Sequence, residues 1–183
     1  MSRVECHDGD MSLRHAVLGM LEDEPGSGYD LLKRFEQAMS NVWPATQSQL
    51  YGELGKLETA GMIHAQAAGP RGRKEYEITD AGRAELRHWL IEVPPIGAPR
   101  NDNLLRVYFL GAVAPDQARA YVATMGEEAQ AREKRLEELE ASIDWGDDNA
   151  SVYGRLVLEW GKRYSAMSRE WADWAVAQIK RPV

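Results

Sequence analysis

Residues 46–82 read TQSQLYGELGKLETAGMIHAQAAGPRGRKEYEITDAG, and this stretch decides the fold. Thr46 opens a helix along which one side packs inward, because apolar or small residues recur there at helical spacing: Leu50, Leu54, Leu57 and Gly61. The other side of this helix carries Ser48, Tyr51, Gly52, Gly55, Lys56 and Thr59. The pattern therefore predicts a surface helix with one packed side and one open side.

A β-hairpin with a basic tip is predicted to follow this helix. Its strands are residues 62–67 and 74–79, the second of which alternates apolar and acidic side chains as a half-buried strand does. Between the strands, residues 69–74 read GPRGRK and form the one dense basic cluster of the sequence. Thr79 is expected to cap a fourth helix over residues 80–92.

Two helices are predicted upstream. Ser12 is expected to cap the first, which ends at the turn of residues 25–28, and the second ends at Trp43-Pro44. Their apolar faces are formed by Leu13, Ala16, Val17, Met20 and Leu21 in the first helix and by Leu31, Leu32, Phe35 and Met39 in the second. Residues 1–10 lack periodicity, and we expect a flexible arm there rather than a metal site, since metal ligands must be held in a fixed geometry.

Three helices, a hairpin and a fourth helix, in this order, are typical of a winged helix-turn-helix domain. We predict that domain over residues 11–93 and a linker over residues 94–100, which are rich in proline. Residues 101–183 are predicted to form a helical dimerisation domain. The predicted fold class is mainly α: an N-terminal winged helix-turn-helix with a two-stranded wing, followed by an all-α C-terminal dimerisation region.

Three helices are predicted in the C-terminal region. The first spans residues 101–113, a longer one runs from Pro115 to near Ser142, and the last begins at Ser151 after a turn at residues 145–149. The last helix carries an aromatic seam, spaced by four, four, three, four and three residues: Leu156, Trp160, Tyr164, Met167, Trp171 and Trp174.

The aromatic seam fits two roles. It could line an effector pocket for flat aromatic ligands, or it could form a dimer interface, in which large aromatic side chains contribute most of the buried apolar area. We favour the interface, because helical spacing is what a packed seam requires whether or not a ligand binds. Both roles hold if the pocket lies between the subunits.

Composition and charge exclude several classes of protein. Among its 183 residues the chain carries 22 Lys and Arg against 29 Asp and Glu, a net charge of -7, so its overall field repels phosphate and argues against indiscriminate coating of nucleic acid. No stretch approaches the roughly 18 uninterrupted apolar residues that a membrane-spanning helix needs. The single cysteine, Cys6, cannot form an internal disulfide, and the first residues do not resemble a secretory signal. We therefore expect a cytoplasmic protein without a membrane partner.

Each part of a winged domain has its own expected contact with DNA. The third helix enters the major groove, the second helix packs against the phosphates, and the wing contacts the DNA backbone. Polar side chains near the start of the third helix can hydrogen-bond to base edges or phosphates, while cations neutralise phosphates and release counterions. The candidate DNA contacts are Ser48, Gln49, Tyr51 and Lys56 in the helix and Arg71, Arg73 and Lys74 in the wing. The alternative is that Tyr51 packs against the second helix as core and that the wing cations form only a solvated turn.

Several short motifs combine in this region: Leu18-Gly19-x-Leu21, Gly28-Tyr29-Asp30-Leu31, Trp43-Pro44, Gln49-Leu50-Tyr51, Leu54, Leu57-Glu58, Gly61-Met62-Ile63, Gly72-Arg73-Lys74, Tyr76, Ile78-Thr79 and Gly82. Together they resemble the signature of the PadR family of transcriptional regulators: a Tyr-x-x-Leu-x-x-Leu-Glu recognition helix, a Gly-Arg-x-Arg/Lys wing and a Leu/Ile-Thr-x-x-Gly helix start. The resemblance is close over residues 11–92. Beyond them, the chain is similar in layout to the longer C-terminal extension of one PadR branch. It departs from the pattern at Gly52 and Gly55, where family members usually carry bulky or basic residues.

The resemblance implies a homodimer in which the last long helix of each chain packs against its partner. Two recognition helices and two wings would then face an inverted-repeat DNA operator, and a small molecule such as a phenolic acid or a hydrophobic drug would relieve repression. By motif match, the resemblance assigns DNA contacts to Tyr51, Lys56, Arg73 and Lys74, with Ser48 and Gln49 as further candidates. From the residues themselves we predict no cofactor and no metal.

Two other classes of function compete with DNA binding. An enzyme is disfavoured, because the four histidines are scattered, no nucleophile motif is present, and Gly26-Ser27-Gly28 follows a helix and lacks the third glycine of a dinucleotide fingerprint. The remaining alternative is a winged-helix protein-interaction adaptor without DNA binding, with which the acidic net charge is compatible.

Overall fold

The computed structural model describes residues 8–39, 45–67, 74–95 and 101–179. These residues form seven α-helices, one short 3₁₀-helix and three β-strands. In chain order the elements are α1 (Asp8–Asp23), β1 (Gly26–Ser27), α2 (Gly28–Met39), α3 (Gln47–Thr59), β2 (Ile63–Ala67), β3 (Lys74–Ile78), α4 (Asp80–Glu92), α5 (Asp102–Tyr108), the 3₁₀-helix (Leu110–Ala112), α6 (Pro115–Ser142) and α7 (Asn149–Gln178). The chain divides into two compact units, Met1–Gly97 and Ala98–Val183.

One apolar core holds the first unit together. It is formed by the inward faces of α1, α2 and α3 and by one residue each of β2 and β3: Leu13, Val17, Leu18, Met20, Leu21, Leu31, Phe35, Leu50, Leu54, Leu57, Ile63 and Ile78. The leucines of α3 are buried as their spacing predicts, and the opposite side of that helix is exposed. The predicted fold class, a mainly α chain that begins with a winged helix-turn-helix, is confirmed.

The wing belongs to a sheet of three antiparallel strands in the order β1-β3-β2. The two predicted strands pair from Ile63 with Ile78 to Ala67 with Lys74, and β1 adds Gly26 and Ser27 on the other edge of β3. The prediction of a two-stranded wing missed β1, since a strand of two residues has no alternation to detect. Ser27 also begins α2: its hydroxyl oxygen lies 3.3 Å from the backbone nitrogen of Asp30 and accepts that N–H.

The turn after α3 determines where the wing begins. Gly61, with φ of 69°, donates its N–H to the carbonyl of Glu58 at 3.0 Å, and Met62 donates to the carbonyl of Leu57 at 3.0 Å. These two bonds form a Schellman motif, whose left-handed position favours glycine. The sequence pattern placed Gly61 on the packed side of the helix, and this prediction is wrong: Gly61 is exposed, lies beyond the last helical residue and ends the helix.

The same turn is closed from the far side by the start of α4. The Thr79 hydroxyl donates to the carbonyl of Gly61 at 2.8 Å and accepts the N–H of Gly82 at 3.2 Å, so Thr79 caps α4 as predicted. Gly82 is buried against the carbonyl oxygen of Met62, which a Cβ at position 82 would overlap. The Thr-x-x-Gly motif thus locks the end of α3 to the first turn of α4.

Three predicted helix boundaries are wrong: the start of α1, the end of α5 and the start of α7. Helix α1 begins at Asp8, so Ser12 is not its cap and the last three residues of the predicted arm are helical; residues 1–7 lie outside the described residues. Periodicity appears only from Leu13, whereas acidic residues favour the N-terminal end of a helix without any apolar pattern. Trp43 and Pro44, predicted to break α2, also lie outside the described residues.

In the second unit, the predicted helix over residues 101–113 stops at Tyr108. Phe109 has φ of -103° and ψ of 7°, in the bridge region, and only a 3₁₀ turn follows. Helix α7 begins at Asn149, two residues before the predicted start at Ser151, because Asp148 caps it and accepts the backbone N–H of Ser151 at 2.9 Å. The Ser151 hydroxyl also donates to Asp148.

Helices α6 and α7 form an antiparallel hairpin. A Cβ at Gly126 would lie 3.1 Å from the Cβ of Ala172, so the two backbones approach closely there. The Arg119 guanidinium donates to the carbonyls of Val176 and Ile179, both at 2.8 Å, and satisfies the last turn of α7. None of the helices in the described ranges is long and apolar enough to cross a lipid bilayer.

Candidate nucleic-acid and dimer interfaces

The start of α3 is rigidly capped. The Thr46 hydroxyl oxygen accepts the N–H of Gln49 at 3.3 Å, and the Gln49 side-chain carbonyl accepts the N–H of Thr46 at 2.8 Å, which completes a capping box. The carbonyl of Gln49, a predicted DNA contact, is therefore engaged within the helix. Ser48, the other candidate in this turn, is exposed.

Tyr51 lies on the flank of α3 that faces α2. A Cβ at Gly28, the first residue of α2, would stand 2.6 Å from the ring carbon Cε1 of Tyr51. Tyr51 nevertheless remains 42% exposed. The two alternatives for this residue are thus compatible: one side of the ring packs on α2, and the rest is accessible to a partner.

Lys56 lies on the opposite flank of α3 and is half-exposed. Its Nζ is 3.0 Å from Oε2 of Glu53, while Oε1 of Glu53 is 3.3 Å from Nε of Arg14 in α1. The Glu53 side chain is only 3% exposed, against 53% for Lys56. The predicted cation of α3 is thus bound to a buried carboxylate of its own helix.

Lys74 begins β3 at the base of the wing. Its Nζ lies 3.2 Å from both carboxylate oxygens of Glu58, so this contact ties the wing to α3. Lys74 and Glu58 are both accessible to solvent, and such a pair contributes little to stability. The other two predicted wing contacts, Arg71 and Arg73, lie outside the described residues.

Between the Tyr51 and Lys56 flanks, α3 presents a shallow exposed face. It is formed by Ser48, Gly52, Gly55 and Thr59. Among the described residues, a Cβ at Gly52 or Gly55 would meet no atom within 4 Å, so no described neighbour requires glycine at these positions. An open helix face with few side chains lets the backbone of α3 come close to a docked surface.

The aromatic seam of α7 lies mostly on the side of the helix away from α6. Residues that pack toward α6 include Leu158, Ser165 and Ala172, whereas Trp160 is 67% exposed and stacks on Tyr164 with ring centroids 5.3 Å apart. The exposed members of the seam are Leu156, Trp160, Tyr164, Met167 and Trp174. Trp171 differs, since it is half-buried against the cluster of Val122, Ala172 and Ala175 within the chain.

Other apolar side chains on α7 extend this exposed stripe toward the α6–α7 turn. They are Val152, Tyr153 and Val157. A shallow hollow lies among Leu156, Val157 and Trp160. An exposed apolar stripe this long marks an interaction surface on a folded protein.

Ion pairs join α7 to α6 and also lie within α7, the helix that carries the stripe. Lys162 Nζ lies 2.7 Å from Oε2 of Glu140 in α6, and this contact raises the pKa of Lys162 above its ordinary value. Within α7, Arg163 donates to Glu159 at 2.8 Å and lowers the pKa of that carboxyl. The first contact therefore fixes α7 against α6, while the second stays within the helix.

Two buried polar residues were not singled out from the sequence. Glu53 stands between Leu50 and Leu57 on the packed side of α3, and a lone acid among core leucines, three residues before a lysine, was the available signal. His15 is the second: it is buried in α1, its ring stacks on Trp89 with a centroid distance of 4.5 Å, and its Nε2 lies 3.1 Å from Glu85. Within the described ranges, no three His, Cys, Asp or Glu side chains are grouped to hold a metal ion.

Comparison with protein families gives two matches that together span both units. Residues 17–88 match the "Transcriptional regulator PadR-like family", and residues 99–180 match "Virulence activator alpha C-term". The first range contains α3 and the wing, and the second contains α6 and α7.

Two relatives are transcriptional regulators. The negative transcriptional regulator PadR of Bacillus subtilis is 32% identical over 136 residues, which cover 72% of this chain and 73% of PadR. A probable transcriptional regulator of Mycobacterium tuberculosis, Rv1176c, is 32% identical over 180 residues, which cover 89% of this chain and 95% of the relative.

Solved structures of Bacillus subtilis PadR share the fold along nearly the whole chain. The complex of PadR with operator DNA superposes with a TM-score of 0.81 at 26% identity and covers 92% of this chain and 99% of PadR. The complex of PadR with p-coumaric acid gives a TM-score of 0.80 at 26% identity and covers 91% of this chain and 98% of PadR. The winged helix with its exposed third helix, the helical hairpin and these matches agree: this chain belongs to the PadR-like family of transcriptional regulators.

Proposed function

We propose that this regulator is a repressor that binds an inverted-repeat operator as a homodimer and is released by a small aromatic molecule. The observation that carries the DNA part is the open face of α3, flanked by Tyr51 on one side and Lys56 on the other. Lys74, at the base of the wing, is joined to the same helix through Glu58. Cations from the helix and the wing therefore adjoin one surface, although the chain as a whole is acidic.

The homodimer rests on the apolar stripe of α7. Helix α6 already covers one side of α7, so the exposed aromatic side chains on the other side need a further partner to be shielded from water. A second copy of the same helix is a self-complementary partner, which twofold symmetry requires. Two copies of the winged domain would then contact two half-sites, so the operator expected for such a dimer is an inverted repeat.

Two observations support the proposal of an aromatic effector: a ligand complex of a related protein and the aromatic side chains of α7. PadR of Bacillus subtilis was solved with p-coumaric acid, a flat aromatic acid. In this chain, tryptophan and tyrosine side chains beside the hollow at Leu156 and Val157 offer flat apolar surfaces of the kind that such rings stack on.

Fluorescence anisotropy with duplexes from the region upstream of the regulator's own gene tests DNA binding. Arg73→Ala and Lys74→Ala should each weaken binding and reduce the slope of log K against log salt by about 0.9 for each phosphate that is no longer neutralised. Lys134→Ala, an exposed cation on α6, is the matched control and should leave the slope unchanged. Unchanged affinity in both wing variants would contradict a role of the wing, and an adaptor without DNA binding would show no salt-dependent binding at all.

Light scattering tests the homodimer. The proposal expects a mass near twice 20.6 kDa and its loss when Trp160 and Trp174 are both replaced by glutamate. Tyr29→Ser, which changes an exposed aromatic residue of α2, should keep the dimer. A monomer at micromolar concentration in the unaltered protein would refute the proposal.

Release by an aromatic molecule is tested on the complex with DNA. Addition of p-coumaric acid and related phenolic acids should lower the anisotropy of the bound duplex and quench the tryptophan fluorescence. Absence of both effects across a broad panel of aromatic compounds would refute this part of the proposal and leave DNA binding untouched.

A further inference from the structure

A carboxylate is buried in the centre of the DNA-facing helix. Glu53 is 2% exposed, and it lies one helical turn from both Leu50 and Leu57 on the packed side of α3. Acidic side chains are almost never fully buried unless they are paired, because the desolvated charge is costly. Its partners therefore decide what this residue does.

Each oxygen of the Glu53 carboxylate contacts one cation. Oε1 is 3.3 Å from Nε of Arg14, which reaches across from α1, and Oε2 is 3.0 Å from Nζ of Lys56, one turn further along α3. Arg14 and Lys56 are both partly exposed, so their charges extend from the buried carboxylate toward solvent. Glu53 thus links the scaffold helix α1 to a cation on the exposed flank of α3.

Stability alone does not explain this arrangement. Replacement of a buried ion pair by apolar residues of similar volume is often neutral or stabilising, and a leucine would continue the apolar stripe of α3. A buried ion network that stability does not require points to a role in fixing one geometry. Here that geometry is the position of the Lys56 ammonium group.

We propose that Glu53 is a positioning residue for DNA binding, which holds the Lys56 ammonium group at the flank of α3 before DNA arrives. The inference rests on the proposed DNA binding and adds a residue that does not itself touch DNA. A lysine that is already ordered loses less side-chain entropy when it meets a phosphate. Glu53 therefore increases affinity although its own charge repels DNA.

The positioning of Lys56 by Glu53 and the repulsion of DNA by its charge change the DNA affinity in opposite directions. The Glu53→Gln variant therefore distinguishes the two effects. Glutamine keeps the size of the side chain and a carbonyl for Arg14, but it removes the charge that holds Lys56. Simple electrostatics expects tighter DNA binding when an acid is removed from a DNA-binding surface. Loss of positioning instead expects about three- to tenfold weaker binding, the range that corresponds to immobilising one long side chain.

Anisotropy titrations of Glu53→Gln, Lys56→Ala and the double variant separate positioning from contact. Lys56→Ala should reduce the salt slope by about 0.9, because one phosphate is no longer neutralised, whereas Glu53→Gln should weaken binding with the slope unchanged. In the Lys56→Ala background, Glu53→Gln should change the affinity by less than about twofold, since two residues that act through one contact are not additive. Glu36→Gln, at an exposed acid of α2, is the charge-matched control.

NMR relaxation of the lysine side chains tests the positioning of Lys56 without DNA. The first comparison uses the unaltered protein, so it does not depend on the stability of a variant. In the unaltered protein the end of Lys56 should be more ordered than that of Lys33, an exposed lysine of α2, and Glu53→Gln should abolish the difference. Equal mobility of the two lysines in the unaltered protein would overturn the proposal, as would tighter DNA binding by Glu53→Gln or an equal loss in the Lys56→Ala background. Ordered Lys56 in a protein that binds no duplex would refute the proposed function instead.

Discussion

The ring of Tyr51 lies against the Cα of Gly28, close enough that a Cβ at position 28 would stand 2.6 Å from ring carbon Cε1. This contact joins the start of α2 to the second turn of α3. The small residue at the start of α2 makes room for the ring. The orientation of a candidate DNA contact is therefore determined by a residue of another helix.

Gly28→Ala should displace the Tyr51 ring. Because Tyr51 is partly exposed, the ring can turn away, and we expect a loss of unfolding free energy of about 1 kcal/mol rather than collapse of the domain. DNA affinity should fall by about two- to tenfold, the range that corresponds to an unfavourable side-chain rotamer. Urea denaturation and anisotropy measure the two effects. Gly19→Ala, where a Cβ meets no described atom within 4 Å, is the control. Unaltered affinity in Gly28→Ala would remove Tyr51 from the interface.

Gly82→Ala should be far more damaging. Its Cβ would overlap the backbone carbonyl of Met62, which cannot swing aside as a side chain can and which also accepts the N–H of Thr79. We expect a loss of about 3 kcal/mol in the free energy of unfolding, at the upper end of overpacking costs. Urea denaturation followed by circular dichroism checks it. A variant as stable as the unaltered protein would show that the turn after α3 is not held by this contact.

The exposed glycines of α3 should trade stability for DNA affinity. Gly52→Ala and Gly55→Ala add a methyl group that meets no atom of the part of the chain that the structure describes, so each should raise the free energy of unfolding by about 1 kcal/mol. If the backbone of α3 approaches the groove closely, the same methyl groups should weaken DNA binding. Thermal unfolding and anisotropy on the same samples measure both. Greater stability with unchanged affinity would show that close approach is not needed.

The cap of α7 should make the second unit sensitive to acid. The backbone N–H and the hydroxyl of Ser151 donate to Asp148 and lower its pKa below the ordinary value of 3.8. A lowered pKa in the folded state contributes stability above the ordinary value, and that stability is lost as the pH falls through the folded-state pKa.

Asp148→Asn keeps an oxygen acceptor at the cap but cannot titrate. Its melting temperature should therefore depend less steeply on pH below about pH 4 than that of the unaltered protein, with little difference at neutral pH. Melting curves from about pH 6 down to about pH 2 supply the comparison. Equal acid sensitivity in both proteins would assign the effect to other carboxylates.

Much of the fold could be predicted from short-range patterns in the sequence. The opening of α3 at Thr46, the cap at Thr79, the leucine spacing of α3, the two long strands and the long C-terminal helices were predicted from the sequence, because each depends on residues within one or two turns of each other. The PadR resemblance followed from the same local motifs. The predicted helix boundaries were wrong where the local sequence signal was weak, near Asp8, Phe109 and Asp148.

The amino-acid sequence by itself determined the helices, the wing and the family, since spacing, caps and turn residues act over short distances along the chain. Only the tertiary structure determined which side chains from distant parts of the sequence contact each other. Arg14 and Glu53 are 39 residues apart, and Gly28 and Tyr51 belong to different helices, so no local pattern could pair them. The packing of α1 and α2 against α3 brings them together, and it thereby determines how the exposed face of α3 presents Tyr51 and Lys56.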